Sequence, residues 1–483
     1  MRTLPAELRR AGRRPLAALA LSVALALPPL SAAQPETPPP SAEASIAAAG
    51  LEDASTGYIV MDLDGGAVLA SRRADEAFLP ASTAKIATAV AALEILGGEH
   101  RFETSLRVSG DRLYLVGGGD PLLAVEDLMS LARAGAEAGI GRARFFHDDS
   151  LLAPAAEIDA GQSDRATYNP GVSALSLSFN RRRLVWGAKP GGGLAAFALP
   201  DGDLAPLRAA LGKGEPLFHR LETPDGPSWR VTARRPGRTW VPVRRPSRFT
   251  ASLFRELAAF QGLALTEPEA GTAPADARPV ARHRGPRLVD IAALSLQYSN
   301  NLVAELMGLG ASRRLAGRPE TLEASAARLQ AELDRRIGGG RAGWLLDRHS
   351  GLSSRARTSP RRMAALLRYA DDRRYGGRSF ESLLPISGWK GSLAGWDEEP
   401  ALAFRVWAKT GSMYYGRGLA GYLHSASGRR LVFALFTSDL DERRRLDALG
   451  PEPGEEERER GEAWLERARD LERALLKRWA SAF

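Results

Sequence analysis

The segment LPASTAKIATAV, residues 79–90, decides how this 483-residue sequence is interpreted. Pro80 precedes a run of small apolar residues and two glycines follow it, which is the usual punctuation of a helix. Ser82 and Lys85 are three residues apart, so on a helix their side chains share one face. A lysine on a face otherwise suited to burial either extends its amine to solvent or is buried beside Ser82. A buried lysine with a lowered pKa could take the proton of the Ser82 hydroxyl.

The composition excludes several kinds of chemistry. The chain contains no Cys, which removes disulfides, thiolate metal sites and a Cys nucleophile. The six His residues show no metal-ligand spacing, so we predict no metal and no cofactor. The net charge of +9 reflects an arginine-rich composition, because only six of the 66 basic residues are Lys. No basic stretch is interleaved with aromatic residues, so we predict no nucleic-acid partner.

The N-terminal region predicts export. Residues 1–33 combine an arginine-rich start, an apolar stretch and small residues around Ala33, a pattern typical of a secretory signal peptide cleaved near Ala33. Residues 34–48 follow as a Pro-rich linker. No later apolar run approaches the ~18 residues of a membrane span, so we expect at most peripheral membrane contact. A Cys-free exported protein fits secretion across the inner membrane into a bacterial periplasm.

The remaining chain predicts a split domain. Residues 56–72 alternate on both sides of a Gly-Gly turn and predict a β-hairpin. The segments FRVWAKTGSM, RGLAGYLHSA and RRLVFALFTSD predict three consecutive antiparallel strands. Between them, residues 102–280 consist of short alternating runs rich in Gly and Pro. We predict a catalytic domain at 49–101 and 281–483, interrupted by a strand-rich insertion with little helix at 102–280.

Two helical patterns flank the predicted strands. The segment RLVDIAALSLQYSNNLVAELMGLGA has helical spacing that places Leu294, Tyr298, Leu302 and Leu306 on one face. The charged tail from Glu455 carries an apolar stripe, which we expect to pack on the sheet, with membrane-surface binding as the alternative. This stripe consists of Trp464, Leu471, Leu475 and Trp479.

Three short motifs occur in a telling order. A Ser-x-x-Lys match is weak evidence alone, and the chain has a second copy, Ser387 to Lys390, in a Gly-rich loop that we reject as a nucleophile. YSNN at 298–301 supplies Ser-x-Asn, although the chain has only four Asn, and Lys-Thr-Gly follows on a predicted strand. The series Ser-x-x-Lys, Ser-x-Asn, Lys-Thr-Gly is the motif set of active-site serine penicillin-binding proteins and β-lactamases.

Further segments narrow the resemblance. LYLVGGGDPLL, HDDS with YNPGVSALSLSFN, SNNLVAE, LLDRHSGLS, LPISGWKGSL and AKTGSM follow one another as blocks of the low-molecular-mass class C penicillin-binding proteins. The chain thus resembles the D-alanyl-D-alanine carboxypeptidase/endopeptidases of peptidase family S13 from about Thr56 to Phe436. The resemblance implies an α/β (α+β) serine β-lactamase/transpeptidase-like fold, an antiparallel sheet flanked by helices. It also implies action on peptidoglycan stem peptides ending in D-Ala-D-Ala or cross-linked, and covalent binding of β-lactam antibiotics.

The resemblance also assigns roles to residues. It implies that Ser82 attacks the carbonyl of the penultimate D-Ala, that Lys85 takes its proton, and that Ser299 relays a proton to the leaving nitrogen. Lys409 sets the local potential, and Asn301 holds the substrate amide. The further implied substrate-binding residues are Lys409 and Thr410 for the terminal carboxylate, Gly411 for room along the strand edge, and Ser412, whose N–H joins that of Ser82 in the oxyanion hole.

Some assignments stay open in the sequence. Asp148 and Asp149 are candidates for contact with the diamino acid of the peptide, or are loop residues. Tyr298 and Asn300 also spell a Tyr-x-Asn motif one residue out of register, but the trailing NLVAE favours Ser299 and Asn301. A β-lactamase is the second reading, although no Glu-x-x-Leu-Asn positions a deacylating water. A non-catalytic wall-binding scaffold of the same fold is the third.

Overall fold

The computed structural model describes residues 41–51, 55–188, 194–199, 207–210, 217–223, 226–232, 237–338, 343–396 and 398–483. The predicted signal peptide and residues 34–40 lie outside the described residues. The α-helices are α1 (Ala42–Ala48), α2 (Ala84–Leu96), α3 (Val125–Glu137), α4 (Pro246–Phe260), α5 (Leu288–Tyr298), α6 (Asn301–Ala316), α7 (Leu322–Ile337), α8 (Pro360–Asp371), α9 (Leu440–Ala448) and α10 (Glu455–Ala482).

The strands form several separate sheets. In chain order they are β1 (Ser55–Asp62), β2 (Val68–Arg72), β3 (Arg101–Ser109), β4 (Arg112–Val116), β5 (Arg142–Asp148), β6 (Arg181–Ala188), β7 (Leu194–Leu199), β8 (Leu207–Ala210), β9 (Leu217–Thr223), β10 (Gly226–Thr232), β11 (Gly237–Pro242), β12 (Ala264–Leu265), β13 (Glu269–Ala270), β14 (Arg278–Arg287), β15 (Arg374–Tyr375), β16 (Arg378–Ser379), β17 (Val406–Met413), β18 (Gly416–His424) and β19 (Arg430–Ser438).

The sheet that carries the site joins both ends of the chain. Its order is β17-β18-β19-β1-β2, and every neighbouring pair is antiparallel. The predicted hairpin and the three predicted consecutive strands are therefore present, and they pair through β1 and β19. Successive side chains of a strand point to opposite faces, so β19 contributes to two cores. Val432, Ala434 and Phe436 face one core, and the alternating Leu431, Phe433 and Leu435 face the other.

Helices cover both faces of this sheet. Helices α2 and α8 lie in the core that contains Phe436, and α10 lies in the opposite core. The predicted stripe of α10 is buried, with Trp479 packed 5.3 Å from the ring of Tyr58 and 6.1 Å from that of Phe433. Each fully buried large apolar side chain contributes roughly 1.5–3 kcal/mol. The stripe is thus covered by protein, and the membrane-surface alternative for it is wrong.

The chain between the two halves of this sheet is not poor in helix. A second sheet of order β12-β5-β4-β3-β14 is packed against α3 and α4, and two three-stranded sheets, β11-β6-β7 and β8-β10-β9, accompany it. The expectation of little helix in residues 102–280 is therefore wrong, because α3 and α4 each bury one apolar face on the sheet. The domain division stays a prediction, and its boundaries fall within the paired strands β3 and β14.

Two other local expectations are corrected. Residues 42–48, placed in the linker, form α1, whose first turn is capped by Ser41 and whose Ile46 is buried with α10. The long helical pattern at 287–311 is broken at Ser299, which has left-handed φ 57° and ψ 31°. The Asn300 side chain accepts from the N–H of Val303 and starts α6 afresh, which is the preferred role of Asn at a helix N-cap.

This break changes the predicted apolar face. Leu302 and Leu306 are buried, but Tyr298 is 66% exposed and Leu294 is also exposed. The four residues therefore do not form one buried stripe, and Ser299 is placed at a turn between two helices. Among the described helices, none combines the length and the apolar character needed to cross a membrane.

Candidate active site

The predicted nucleophile lies at the start of α2. A short 3-10 turn, Ala81–Thr83, precedes the helix, and the Thr83 hydroxyl donates to the carbonyl of Pro80 over 2.6 Å. Ala81 has a positive φ of 43°, an unfavourable conformation for a residue with a side chain. The strained turn directs Ser82 toward Lys85, and Lys85 Nζ lies 2.9 Å from Ser82 Oγ.

Lys85 is completely buried among polar partners. Its Nζ donates to Ser82 Oγ, to Asn301 Oδ1 at 2.7 Å and to the carbonyl oxygen of Ser350 at 2.7 Å. An ammonium group has three donors, so these contacts satisfy it fully. Burial lowers the pKa of Lys85 to about 7, although the charge of Glu305 acts in the opposite direction. A substantial fraction of Lys85 is therefore neutral near pH 7 and able to accept a proton.

Glu305 supports Lys85 from below. Its side chain is fully buried on α6 and accepts the backbone N–H groups of His349 at 3.2 Å and Ser350 at 2.9 Å. Burial raises the pKa of Glu305, while its hydrogen bonds with Ser350 and His349 lower it. The sequence analysis quoted this residue within NLVAE but gave it no role. Its spacing of four from Asn301, on one helix face, was the available signal.

Ser299 and Asn301 reach the same place from the turn between α5 and α6. Besides accepting from Lys85, Asn301 donates through Nδ2 to the carbonyl of Tyr168 over 2.9 Å. Ser299 and Asn301 line one cavity together with Ser82. The structure therefore brings together Ser82, Lys85 and the Ser-x-Asn pair in the register chosen from the sequence. The sequence analysis did not identify Tyr168 as a partner.

Strand β17 forms the opposite side of the cavity. Lys409 is completely buried, and its Nζ donates to the carbonyl of Thr410 over 2.6 Å. Its pKa is lowered well below the usual value by burial and by the nearby positive charges of Lys85 and Arg417. The Thr410 hydroxyl donates to Ser392 Oγ over 3.0 Å, which ties the strand to the loop after residue 387.

Gly411 is required by a close approach of two backbone segments. A Cβ atom at this position would lie 2.5 Å from the carbonyl oxygen of Pro80 and 3.0 Å from the nitrogen of Ser82. Contacts that short are not tolerated, so only Gly lets β17 pack against the Ser82 turn. The resemblance implied room for the substrate, whereas the structure shows a requirement of the protein itself.

A buried ion pair holds Ser412. Its hydroxyl accepts from Nη1 of Arg417, the residue paired with it on β18. The same guanidinium donates to Glu472 of α10 at 2.9 Å and 2.6 Å, and the side chains of both ion-pair partners are almost fully buried. The C-terminal helix is thus connected to the strand that lines the site, a link that the sequence analysis missed.

The described residues around Ser82 enclose a cavity of 410 Å³. Its lining also includes Ser299, Asn301, Ser412 and Tyr168. Asp148 and Asp149 do not line it. Asp148 accepts from the backbone N–H and hydroxyl of Ser150 and from the N–H of Ala273, and Asp149 accepts from the hydroxyl of Ser247.

The second Ser-x-x-Lys copy has a structural place. Ser387 is buried, donates to the carbonyl of Leu402 at 2.6 Å and accepts from the N–H of Val406 at 3.1 Å. It therefore fixes a loop, which agrees with its rejection as a nucleophile. The same loop supplies Ser392, the partner of Thr410, and so lies beside the site.

A hydroxyl beside a buried lysine of lowered pKa, facing a strand-borne cation, defines the class of active-site serine hydrolases that use lysine as the base. Residues 41–200 and 232–450 match the model of the D-Ala-D-Ala carboxypeptidase 3 (S13) family. The chain belongs to this family, as its sequence blocks indicated, and the predicted serine-type D-Ala-D-Ala carboxypeptidase activity is confirmed by that membership.

Individual relatives agree with this assignment. The D-alanyl-D-alanine carboxypeptidase of Actinomadura sp. (strain R39) is 29% identical over 425 residues, which cover 80% of this chain and 78% of that protein. A carboxypeptidase of Mycobacterium tuberculosis is 29% identical over 403 residues, covering 80% and 77%. The crystal structure of penicillin binding protein 4 from Haemophilus influenzae superposes with a TM-score of 0.76 at 20% identity, covering 90% and 99%, which confirms the predicted fold.

Proposed function

We propose that Ser82 is the acylated nucleophile of a carboxypeptidase and endopeptidase that acts on peptidoglycan stem peptides ending in D-Ala-D-Ala or cross-linked. The observation that carries the proposal is the 2.9 Å contact between Ser82 Oγ and the buried Nζ of Lys85. Because burial brings the pKa of Lys85 to about 7, the neutral amine can accept the hydroxyl proton as the oxygen attacks.

The acylation step breaks one C–N bond and forms one C–O bond. Ser82 Oγ bonds to the carbonyl carbon of the penultimate D-Ala, and its proton passes to Lys85. The leaving nitrogen receives a proton through Ser299, which lies in the same cavity. Lys409 contributes the positive potential that favours this transfer. Water then attacks the ester, releases the shortened peptide and restores the Ser82 hydroxyl.

Substrate recognition is assigned to the opposite side of the cavity. Lys409 and Thr410 bind the terminal carboxylate of the substrate, which supplies the negative charge that the surroundings of Lys409 lack. Asn301 holds the substrate amide. Backbone N–H groups of Ser82 and Ser412 stabilise the oxyanion, since Gly411 allows these two segments to lie close together.

The cellular setting follows from the same activity. Cell-wall carboxypeptidase relatives support an extracytoplasmic enzyme, and we propose the bacterial periplasm, reached by a signal peptide cleaved near Ala33. β-Lactam antibiotics carry a reactive amide and a carboxylate in the arrangement of the substrate end. Accordingly, we propose that benzylpenicillin acylates Ser82.

The test follows the intact mass of the chain from Gln34 onward during incubation with benzylpenicillin, beside a Ser82→Ala variant. The proposal expects a lasting adduct of one drug molecule on the wild type and none on the variant. Rapid turnover of the drug without a lasting adduct would instead support a β-lactamase. A folded wild-type protein that neither forms an adduct nor consumes the drug would support a non-catalytic scaffold.

A further inference from the structure

A groove leaves the active-site cavity on the side of Ser299. A second cavity, of 370 Å³, shares Tyr168, Ser299 and Asn301 with the cavity around Ser82. A third, of 510 Å³, shares Leu122, Phe179 and Arg181 with the second and ends at Trp240. The three cavities therefore form a continuous path from the nucleophile, over the Ser-x-Asn turn, to strand β11.

The surface of this groove suits an extended peptide. Tyr298, Tyr168 and Trp240 are each more than half exposed. Exposed aromatic side chains of this kind supply contact area at low conformational cost. The second cavity alone is within the ~300–1,000 Å³ range of pockets that bury drug-sized ligands. A single released D-Ala does not need this space.

Arg181 gives the groove its charge. It is the only charged residue that lines the second and third cavities among the described residues, and none of the described carboxylates forms an ion pair with it. Its guanidinium lies 5.3 Å from the ring centre of Phe179. A half-exposed arginine without an acidic partner is suited to bind a carboxylate.

The segment that presents Phe179 and Arg181 is strained and firmly held. Ser178, Phe179 and Asn180 all have positive φ, at 48°, 59° and 51°. Asn180 is fully buried and makes three hydrogen bonds that fix the turn, with the N–H of Leu177, the carbonyl of Gly171 and the hydroxyl of Ser176. Strain of this kind persists where the surrounding structure imposes it, often at ligand sites.

We infer that this groove binds the amine-side peptide of a cross-linked substrate, which makes the enzyme a DD-endopeptidase as well as a carboxypeptidase. The inference rests on the proposed function, in which Ser299 protonates the leaving nitrogen. A chain attached to that nitrogen must continue on the Ser299 side, where the groove begins. Arg181 binds a carboxylate of that peptide, and Tyr298 and Phe179 contact its backbone and aliphatic parts.

The chemistry is the same for both substrates. Ser82 Oγ forms the ester as the C–N bond breaks, and the nitrogen departs with a proton as a free amine. In the carboxypeptidase reaction the amine is that of D-Ala. In the endopeptidase reaction it is the side-chain amine of a second stem peptide, and only this leaving group is long enough to reach Arg181.

The experiment compares two substrates on one enzyme. A disaccharide pentapeptide ending in D-Ala-D-Ala reports carboxypeptidase activity, and a cross-linked disaccharide tetrapeptide dimer reports endopeptidase activity, both followed by chromatography. Arg181→Met should lower kcat/KM for the dimer about tenfold or more, the usual effect of losing one charge-assisted hydrogen bond. Its kcat/KM for the pentapeptide and its rate of acylation by benzylpenicillin should stay within twofold of wild type.

Two controls sharpen the comparison. Arg183→Met removes another exposed arginine of β6 that lines neither cavity, and it should leave both activities unchanged. Arg181→Lys should recover part of the dimer activity, because it restores the charge. A dimer amidated at the carboxylates of its amine-side peptide should lose the dependence on Arg181.

The outcomes separate this inference from the function on which it rests. Cleavage of the pentapeptide without cleavage of the dimer would overturn the groove assignment and leave the carboxypeptidase intact. Equal losses on both substrates in Arg181→Met, or no loss on the dimer, would also overturn it. Failure on both substrates together with no penicillin adduct would overturn the proposed function itself.

Discussion

Two walls of the active-site cavity each bury a lysine, but they surround it with different charges. The helix wall, formed by α2, α6 and residues 347–351, places the carboxyl group of Glu305 near Lys85. The strand wall, formed by β17, β18 and α10, places two positive charges near Lys409, those of Lys85 and Arg417. The one buried carboxylate of the strand wall, Glu472, is bound to Arg417.

This difference explains why one lysine is suited to be a base and the other to be a binding group. On the helix wall the carboxyl group partly offsets the cost of burial, and the pKa of Lys85 stays at about 7. On the strand wall no free carboxylate offsets burial, so Lys409 is short of negative charge until an anionic substrate arrives. A terminal carboxylate bound there would favour the charged form of Lys409.

The largest expected effect separates these two roles. Lys85→Met removes the base and should lower the rate of acylation by roughly 10²–10⁴-fold for any substrate. Lys409→Met should act mainly on substrates with a terminal carboxylate, reducing kcat/KM by about 10- to 100-fold, which corresponds to one charged hydrogen bond. The measurement compares a peptide ending in D-Ala-D-Ala with its terminal carboxamide.

In Lys85→Met both peptides should lose activity equally. In Lys409→Met the preference for the carboxylate over the carboxamide should largely disappear. If Lys409→Met lowers activity on both peptides to the same extent, the two walls do not divide base and anion binding between them.

The next effect concerns the ion pair that anchors the strand wall. Replacing Arg417 by Met leaves Glu472 buried without a partner, and removal of one member of a buried pair costs about 3–5 kcal/mol. We expect a loss of this size in unfolding by denaturant. The double variant Arg417→Met/Glu472→Met should recover much of the stability, because neither buried charge remains.

A matched control uses an exposed pair of the same helix. Arg460 lies 3.1 Å from Glu457 on α10, and Arg460→Met should cost no more than about 1 kcal/mol. A double variant as unstable as Arg417→Met alone would mean that packing of the arginine, and not the unpaired charge, accounts for the loss.

A smaller effect tests the charge of the helix wall. Neutral Lys85 is the reactive form, so the acylation rate by benzylpenicillin should rise with pH through about 7. A negative Glu305 favours the ammonium form and raises the pKa of Lys85. Glu305→Gln removes that charge, so the midpoint of the pH profile should move to lower pH, while Glu305→Asp should restore it in part. An unchanged midpoint would show that Glu305 is uncharged at neutral pH.

The sequence could predict the residues of the site better than their environment. Ser82, Lys85, Ser299, Asn301 and Lys409 were found because three short motifs occur in a fixed order. Motif order contains no information on burial. That both lysines are completely buried, and that Glu305 lies near one of them, depends on contacts between segments more than 200 residues apart.

The errors in the predicted fold have similar causes. Helical spacing continues across residue 299, and only the capping of α6 by Asn300 decides that the helix is interrupted there. Helix α3 was overlooked because its apolar residues are sparse, and their burial depends on the second sheet and α4. The hairpin and the three C-terminal strands were predicted correctly because alternation of apolar residues is a local signal.

The smallest effects are expected at Asp148 and Asp149, outside both walls. The resemblance made them candidates for contact with the diamino acid of the substrate. However, Asp148 is saturated by the backbone and hydroxyl of Ser150 and by the N–H of Ala273, and Asp149 is bound by Ser247. Asp148→Asn and Asp149→Asn should therefore change kcat/KM on stem peptides by less than about twofold, with any loss appearing in stability. A tenfold loss of kcat/KM in a variant of wild-type stability would instead place that carboxylate in contact with the substrate and extend the binding surface beyond the two walls.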